Sequence, residues 1–301
     1  MDLQSKINAV SRMERYIVNN LDAEITADDL SCAAGYSKFY SLRIFKELTG
    51  KSPFETIRAL RLTKSAQKLQ SSDSNVLDVA LESGFNSHDG FTRAFKRQFD
   101  ITPLKYRREK PAIRWILPGS IDAYYILKEG KRLMQKEPIK RTMTVTAIER
   151  PVRKMILLRS INAKGYFDYC EEVGCDWFGL LCSIPEKLEC GPALLTLPPN
   201  LIKEGTGNTA GGVEVPFDYN KPAPDGCDII ELSPCTMLFF QGATFENEND
   251  FGVAIDTLWE VMDTYTPETY GWKYAPELAP YFNFGASPDF GAKMAQSVVT
   301  I

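Results

Sequence analysis

Two basic segments, fifty residues apart, carry the side chains best suited to bind a polyanion. Residues 43–53 read RIFKELTGKSP and residues 93–103 read RAFKRQFDITP. Arginine, phenylalanine, lysine and proline recur at the same offset, beginning at Arg43 and Arg93. Guanidinium and ammonium groups bind phosphate oxygens, and arginine also pairs with guanine edges. The repeat therefore predicts a duplicated unit whose copies can each contact nucleic acid.

The first copy has the signals of two short helices around a tight turn. Thr26 can cap a helix that ends near Ala34, and Gly35 suits a left-handed stop. Ser37 then opens a second helix that runs to about Thr49. Apolar residues at three-residue spacing should pack one side of this second helix. They are Phe39, Leu42, Phe45 and Leu48.

The second copy repeats this arrangement, with a helix from Val76 to Ser83, a turn at Gly84 and a basic helix opened by Ser87. The packing residues of the basic helix should be Phe91, Phe95 and Phe99, which leaves Thr92, Arg93, Lys96 and Arg97 on the other side. Two helices joined by a glycine turn, the second one basic, form the helix-turn-helix signature. The alternative for either copy alone is a small helical domain with solvated charges.

The segment between the copies predicts one long helix. Residues 53–70 begin with proline, which fits a first helical turn, and would span ~27 Å. A helix of that length can hold two recognition helices about one DNA turn, ~34 Å, apart. One chain could then read two successive major-groove segments without forming a palindromic dimer.

The stretch GFNSHDGFTRAFKRQFDITPLKYR, at 84–107, closely resembles the AraC/XylS family of bacterial transcription regulators. AAGYSKFY at 33–40 also matches, and the resemblance covers about residues 5–110. Asp100 stands where the family usually has glycine. The resemblance implies that the protein binds double-stranded promoter DNA.

The resemblance also implies roles for individual residues. Base contacts would come from Phe39, Leu42 and Arg43 in the first unit and from His88, Asp89, Thr92 and Arg93 in the second. Lys46, Lys96 and Arg97 would lie near phosphates. Ser37, Lys38 and Ser87 complete the predicted DNA-binding set. Leu42 cannot make the polar contact often seen at its position, and for Asp89 and Thr92 the alternative role is helix capping or packing.

Charge divides the chain into parts that suit different partners. Residues 1–110 hold 18 Lys and Arg against 14 Asp and Glu, and residues 111–141 hold 7 against 3, a net charge of +4 in each. Residues 142–301 hold 10 against 22, a net charge of −12. The front therefore suits a polyanion, whereas the rear suits a small molecule or a protein.

Several functional classes are disfavoured. No apolar run approaches the ~20 residues of a membrane helix, so we expect a cytoplasmic protein. With seven cysteines, no CxxC pair and His88 as the only histidine, we expect reduced thiols and neither a metal nor a cofactor, although thiol or metal sensing stays open. No nucleophile–histidine–acid set, P-loop or GxGxxG motif indicates an enzyme.

The predicted fold is multidomain. An all-α domain with two helix-turn-helix units covers 1–110, and a basic linker with a helix from Ser120 to about Gln135 covers 111–141. An α+β domain with duplicated β-β-α-β-β halves covers 142–301. Its predicted elements are a hairpin around Pro151, helices at 164–183 and 250–264, and strands at 192–198, 211–217, 228–233, 236–243, 280–285 and 296–301.

The rear domain, from its order of elements and the segments VTAIERPVRK and IIELSPCTMLFFQG, resembles GyrI-like effector-binding domains, in a Rob-type arrangement. Such domains bind small molecules, often cationic and lipophilic, in a cleft lined by aromatics and a buried carboxylate. Tyr270, Trp272 and Tyr274 lie in a Pro/Gly-rich loop with no obvious core face, and Asn283 stands where the carboxylate is expected. The candidate ligand-binding set is Tyr166, Trp177, Tyr270, Trp272, Tyr274, Glu277, Tyr281 and Asn283.

Three functions follow from these observations. The first is a transcription regulator that binds promoter DNA, senses a small molecule and contacts RNA polymerase, as a monomer or homodimer. The second is a GyrI-like hydrolytic enzyme fused to a DNA-binding head. The third is a protein-interaction regulator without a small ligand.

Overall fold

The computed structural model describes residues 2–71, 75–85, 87–119, 121, 124, 139–247 and 250–301. The chain divides into two compact units, Met1–Lys131 and Arg132–Ile301. The helix predicted from Ser120 to about Gln135 falls almost entirely outside the described residues.

The first unit is helical, as predicted, and each of its helix-turn-helix pairs is present. Its helices are α1 Leu3–Asn19, α2 Ala27–Ala34, α3 Lys38–Thr49, α4 Pro53–Ser71, α5 Val76–Glu82, α6 His88–Phe99 and α7 Pro103–Glu109.

Local side-chain chemistry sets the ends of these helices. Thr26 and Asp29 form a reciprocal capping box at the start of α2, and Gly35 ends that helix with φ 74°. Gly50 ends α3 in the same left-handed conformation, with φ 77°. Asp100 does so for α6 with φ 56°, which explains how an aspartate can replace the usual glycine.

Aromatic packing forms the core beneath α6. Phe91, Phe95 and Phe99 follow one another along the buried side, with ring centroids 5.6 and 4.8 Å apart, as predicted. Tyr106 of α7 joins this row 5.8 Å from Phe95, and burial raises the pKa of its phenol to about 12. The row fixes which face of α6 points away from the core.

The predicted packing face of α3 is wrong at Phe39, whose side chain is 77% exposed. The buried residues of α3 are Ser41, Ile44 and Phe45. A step of three residues turns an α-helix by about 300°, so the series beginning at Phe39 drifts about 60° per step. Its first member therefore faces away from the core that its later members contact.

Part of the expected linker packs into the first unit. Ile113, Trp115 and Ile121 are buried, and the backbone N–H of Ile116 donates to Thr63 Oγ1 of α4 at 3.0 Å. The chain after 110 therefore continues to cover the α4 helix, although the domain boundaries themselves stay predictions.

The second unit contains an antiparallel sheet with helices, as predicted for an α+β domain. Its strands are β1 Met143–Arg150, β2 Arg153–Arg159, β3 Ala193–Thr196, β4 Thr209–Pro216, β5 Cys227–Leu232, β6 Cys235–Gly242, β7 Trp272–Tyr274, β8 Tyr281–Ser287 and β9 Gly291–Thr300. Its helices are α8 Tyr166–Val173, α9 Trp177–Cys182 and α10 Phe251–Met262, with short 3-10 turns at Pro199–Leu201 and Pro267–Tyr270.

The strand order is β1-β6-β9-β8-β3-β4-β2-β5, and β7 pairs with β9. The hairpin predicted around Pro151 is wrong, because β1 pairs with β6 while β2 lies between β4 and β5. Both edges of β2 are occupied, so β1 has no free edge of β2 to join. The helix predicted at 164–183 is two helices, and Gly174 between them has φ 91°.

The segment predicted as a loop around Trp272 is partly a strand, β7, which pairs with β9. Trp272 and Tyr274 pack, partly buried, against the core that α10 covers. That core includes Leu258 of α10 and Met294 of β9.

Buried charges occur on β2 and β4. Arg153 Nε lies 2.5 Å from Glu214 Oε1, and both side chains are almost inaccessible to solvent. Arg153 also donates to the carbonyls of Pro151 and Ser233, so its guanidinium connects the turns at the ends of β1 and β5 to β2.

No described helix has the length and apolar character needed to cross a membrane.

Candidate nucleic-acid interface

The two recognition helices, α3 and α6, present the same faces at an offset of fifty residues. Reading from Ser41 and from Phe91, buried, half-buried and exposed positions follow one another in the same order over the next seven positions of each helix. Arg43 and Arg93 fall in the same exposed position, as do Lys46 and Lys96. The repeat in the sequence therefore places matched residues at equally buried or equally exposed positions of α3 and α6.

Each recognition helix begins with a serine cap. The Tyr40 backbone N–H donates to Ser37 Oγ at 3.4 Å, and that of Gly90 donates to Ser87 Oγ at 3.1 Å. The caps place residues Lys38 and His88 at the first helical position of each copy. In helix-turn-helix proteins the amino-terminal residues of this helix contact base edges.

Five exposed cations of the two helices are available to an outside partner. They are Arg43, Lys46, Arg93, Lys96 and Arg97. None of these five side chains forms a salt bridge with another described residue. The Arg43 guanidinium carbon lies 5.0 Å from the centroid of the Tyr40 ring, which restricts the rotamers of that arginine. Such groups can bind phosphates without first breaking an internal salt bridge.

In the first unit, the predicted residue Lys38 and the nearby Lys6 are each paired with an acidic side chain. Lys38 Nζ contacts Asp28 Oδ1 of α2 at 2.6 Å. Lys6 Nζ contacts Glu47 Oε1 at 2.6 Å, and its hydrogen bond lowers the pKa of Glu47. Glu47 occupies the position that Arg97 has in α6, so at this position the second recognition helix presents a cation where the first presents an anion.

The predicted base-reading residues differ in their placement. Phe39 and Asp89 are highly exposed at the second helical position, with 91% of the Asp89 side chain accessible. Leu42 is half-buried and packs against the first helical core. Thr92 Oγ1 is buried without a hydrogen-bond partner in the described part of the chain, so it needs a new rotamer before it can donate to a base.

A comparison of sequences agrees with this geometry. A family model described as a helix-turn-helix domain matches residues 30–109. The TetD protein of transposon Tn10 from Escherichia coli is 40% identical over 109 residues, which cover 36% of this chain and 79% of TetD. The chain belongs to the AraC family of DNA-binding transcription regulators.

Two other relatives also match about a third of this AraC-family chain. The probable transcription factor PqrA of Proteus vulgaris is 38% identical, over 33% of this chain and 84% of PqrA. The transcriptional regulator Rob of Salmonella typhimurium is 44% identical, over 31% of this chain and 32% of Rob. The match spans only about a third of Rob. Rob is a transcriptional regulator and PqrA a probable transcription factor, so the expectation that this AraC-family protein is not an enzyme is confirmed.

The candidate ligand residues of the AraC-family chain's second unit do not share one environment. Trp177 is 2% exposed and its ring centroid lies 5.3 Å from that of Tyr169. Tyr166, Tyr270 and Glu277 are exposed. Tyr281 is half-buried, its hydroxyl donates to Met294 Sδ at 2.8 Å, and burial raises the pKa of its phenol.

Asn283, the residue expected in place of a carboxylate, has a local structural partner. Its Oδ1 accepts from the Gly285 backbone N–H at 2.8 Å, where the pairing of β8 with β9 shifts register. It pairs across the strands with Leu194 of β3 and Met294 of β9. Among the described residues, no cluster of three or more His, Cys, Asp or Glu is placed to hold a metal ion.

A charged group on the sheet was missed by sequence reasoning. Glu189 accepts from Lys293 Nζ at 2.9 Å and also from Arg150. The Lys293 ammonium lies 4.9 Å from the ring centroids of both Phe239 and Phe284. These residues lie on four strands and a loop, and no spacing in the sequence indicates that they meet.

Proposed function

We propose that this chain is a sequence-specific regulator that binds promoter DNA through both recognition helices at once. Arg43 and Arg93, with the exposed first-turn residues, would contact bases, and Lys46, Lys96 and Arg97 would contact phosphates. The supporting observation is the matched order of exposed and buried positions in α3 and α6, which presents equivalent cations twice.

The helix between the two recognition units supports binding by one chain. The α4 helix has 19 residues and therefore spans about 28 Å. It is anchored at both ends of its core-facing side, since Ile57, Leu60 and Leu69 are buried. Such a fixed spacer suits two major-groove segments about one turn, ~34 Å, apart.

Salt dependence of DNA binding tests this proposal. Each phosphate contact adds about −0.9 to the slope of log affinity against log salt concentration, so three phosphate contacts give a slope of about −2.7 or steeper. Anisotropy titrations of a genomic DNA fragment enriched by the protein should show this slope and a clear preference over random DNA. Equal binding to random DNA would contradict sequence-specific regulation.

We also propose that residues 142–301 are a GyrI-like domain with duplicated β-β-α-β-β halves that binds a small effector. The strand order supports the duplication. Exchange of β1, β2, β3 and β4 with β5, β6, β8 and β9 reproduces the same order read from the opposite edge. A helix or helix pair follows the second strand of each half, α8 and α9 in the first and α10 in the second.

An aromatic surface supports effector binding near α10. The Trp259 and Tyr281 rings stack with centroids 5.1 Å apart and an interplanar angle of 22°. Trp259 stays 40% exposed, so it has ring surface available to a ligand. Tyr281 belongs to the set predicted from sequence, whereas Trp259 does not.

Thermal shift tests the effector proposal with ligands that differ in charge. Benzylamine, benzyl alcohol and benzoate share one ring and carry positive, neutral and negative groups. Stabilisation by any of them that is lost in Trp259→Ala, but kept in the exposed control Phe290→Ala, supports a site at α10. Equal shifts in both variants would contradict it.

Partners other than DNA and effector are part of the same proposal. A promoter-bound regulator of this kind would contact RNA polymerase and act as a monomer or homodimer. Pull-down of purified polymerase on promoter DNA, with and without the protein, tests that contact. Retention of polymerase that does not depend on the protein would contradict it.

A further inference from the structure

The two recognition helices form an internal comparison of the same scaffold with different contact residues. Positions that match between α3 and α6 include the serine caps, the arginines at 43 and 93, and the lysines at 46 and 96. The exposed first-turn positions do not match. There the first unit has Lys38 and Phe39, and the second has His88 and Asp89.

The contrast is sharpest at the second helical position. Phe39 offers an apolar ring that is 77% exposed, and it makes no ring contact with another aromatic residue in the described chain. Asp89 offers a carboxylate whose side chain is 91% exposed, and His88 Nδ1, at 3.7 Å, is its one ion-pair partner among the described residues. Both residues follow their serine cap by two positions, so they should approach DNA at equivalent depth.

Base edges in the major groove distinguish these two groups. An apolar ring can contact the methyl group of thymine, whereas a carboxylate accepts a hydrogen bond from the N4 amino group of cytosine. A carboxylate near DNA is repelled by phosphates, so it favours binding only where it gains such a donor. Lys38 adds no competing polar contact while it is paired with Asp28.

Resting on the proposed DNA binding by both helices, we infer that the two units read chemically different base steps. Phe39 contacts a thymine methyl group in the segment under α3. Asp89 accepts from the amino group of a cytosine in the segment under α6. The DNA site is therefore asymmetric, with a thymine read by its methyl group in one segment and a cytosine in the other.

The first test removes a single methyl group from DNA. A site is first selected from random duplexes with the full chain, and each thymine of it is then replaced by deoxyuridine. Loss of one buried methyl contact should weaken binding about fourfold at one thymine in the α3 segment. Phe39→Ala should bind the thymine and deoxyuridine sites equally, while the control Phe54→Ala, an exposed phenylalanine in the first turn of α4, should keep the fourfold difference.

The second test changes the hydrogen-bonding group at position 89, where the carboxylate can only accept. Selection with Asp89→Asn should enrich adenine where the unmodified chain enriches cytosine, since asparagine pairs with the adenine edge. Discrimination between the two bases should be about fivefold to 100-fold. The control Asp256→Asn, an exposed aspartate of α10, should enrich the original site.

The outcomes separate this inference from the proposed function. A chain that selects a defined site but binds every deoxyuridine form equally, or whose Asp89→Asn variant selects the same base, overturns the inference and leaves specific DNA binding intact. A chain that selects no site contradicts the proposed function itself. Equal circular dichroism spectra of the variants show that the exposed substitutions leave the fold unchanged.

Discussion

Arg43 and Arg93 occupy the same position in two helices that lie fifty residues apart. Each is the sixth residue of its helix, exposed between a half-buried and a buried neighbour. If both contact bases, Arg43→Ala and Arg93→Ala should each weaken specific binding by about fivefold to 100-fold. Arg15→Ala, an exposed arginine of α1, is the matched control and should change affinity less than twofold. Anisotropy titrations measure all three, and a loss confined to one recognition helix would contradict the two-site account.

Phenylalanine substitutions in α3 should separate stability from binding. Phe45 is fully buried, so Phe45→Ala should lower the free energy of unfolding by about 3–5 kcal/mol. Phe39→Ala should change that free energy by less than about 0.5 kcal/mol because the ring is exposed. Urea denaturation measures both. A large destabilisation by Phe39→Ala would contradict its exposed position and support the packing face predicted from the sequence.

The Arg153–Glu214 pair should be costly to break. Glu214→Ala leaves a buried guanidinium without its carboxylate, which should destabilise the second unit by about 3–5 kcal/mol. The Lys221–Glu186 pair is about a third exposed on both side chains, so Glu186→Ala should cost at most about 1 kcal/mol. Thermal unfolding compares the two variants. Similar losses of stability in both variants would contradict the expectation that burial decides how much each ion pair contributes.

Glu189 gives a prediction for acid stability. Burial by itself raises the pKa of this carboxyl, but hydrogen bonds from Lys293 and Arg150 outweigh it and hold the pKa below its ordinary value of 4.5. The stability that the ionised carboxylate contributes is therefore present above pH 4.5 and is lost as the pH falls through the lower, folded-state value. Glu189→Gln should be less stable than the unmodified chain at pH 7, with the difference shrinking below about pH 4.5. A difference that grew on acidification would contradict this assignment.

Features set by neighbouring residues could be predicted from the sequence. The capping box at Thr26, the left-handed stop at Gly35 and the aromatic row from Phe91 each depend on contacts within a few residues. The repeat also located the exposed arginines. Most strands of the second unit could be placed because β-branched and apolar runs lie between turn residues.

Features set by distant residues could not be predicted in this way. Pro151 directly follows β1 and lies two residues before β2, yet those strands pair with β6, β4 and β5 because the edges of β2 are taken. The contact of Glu189 with Lys293 joins residues 104 positions apart. Phe39 was misplaced for a different reason, since a three-residue spacing only approximates the helical repeat.

The number of chains on one DNA site tests the central claim most directly. The fixed α4 spacer predicts a one-to-one complex that protects two major-groove segments about one turn apart. Insertion of 5 or 10 base pairs between those segments should weaken binding to a similar extent, because α4 cannot lengthen by the ~34 Å that a full turn adds. Analytical ultracentrifugation and anisotropy titration measure the stoichiometry and the affinity. Two chains on one site, or full affinity restored by the 10-base-pair insertion, would contradict reading of both segments by a single chain.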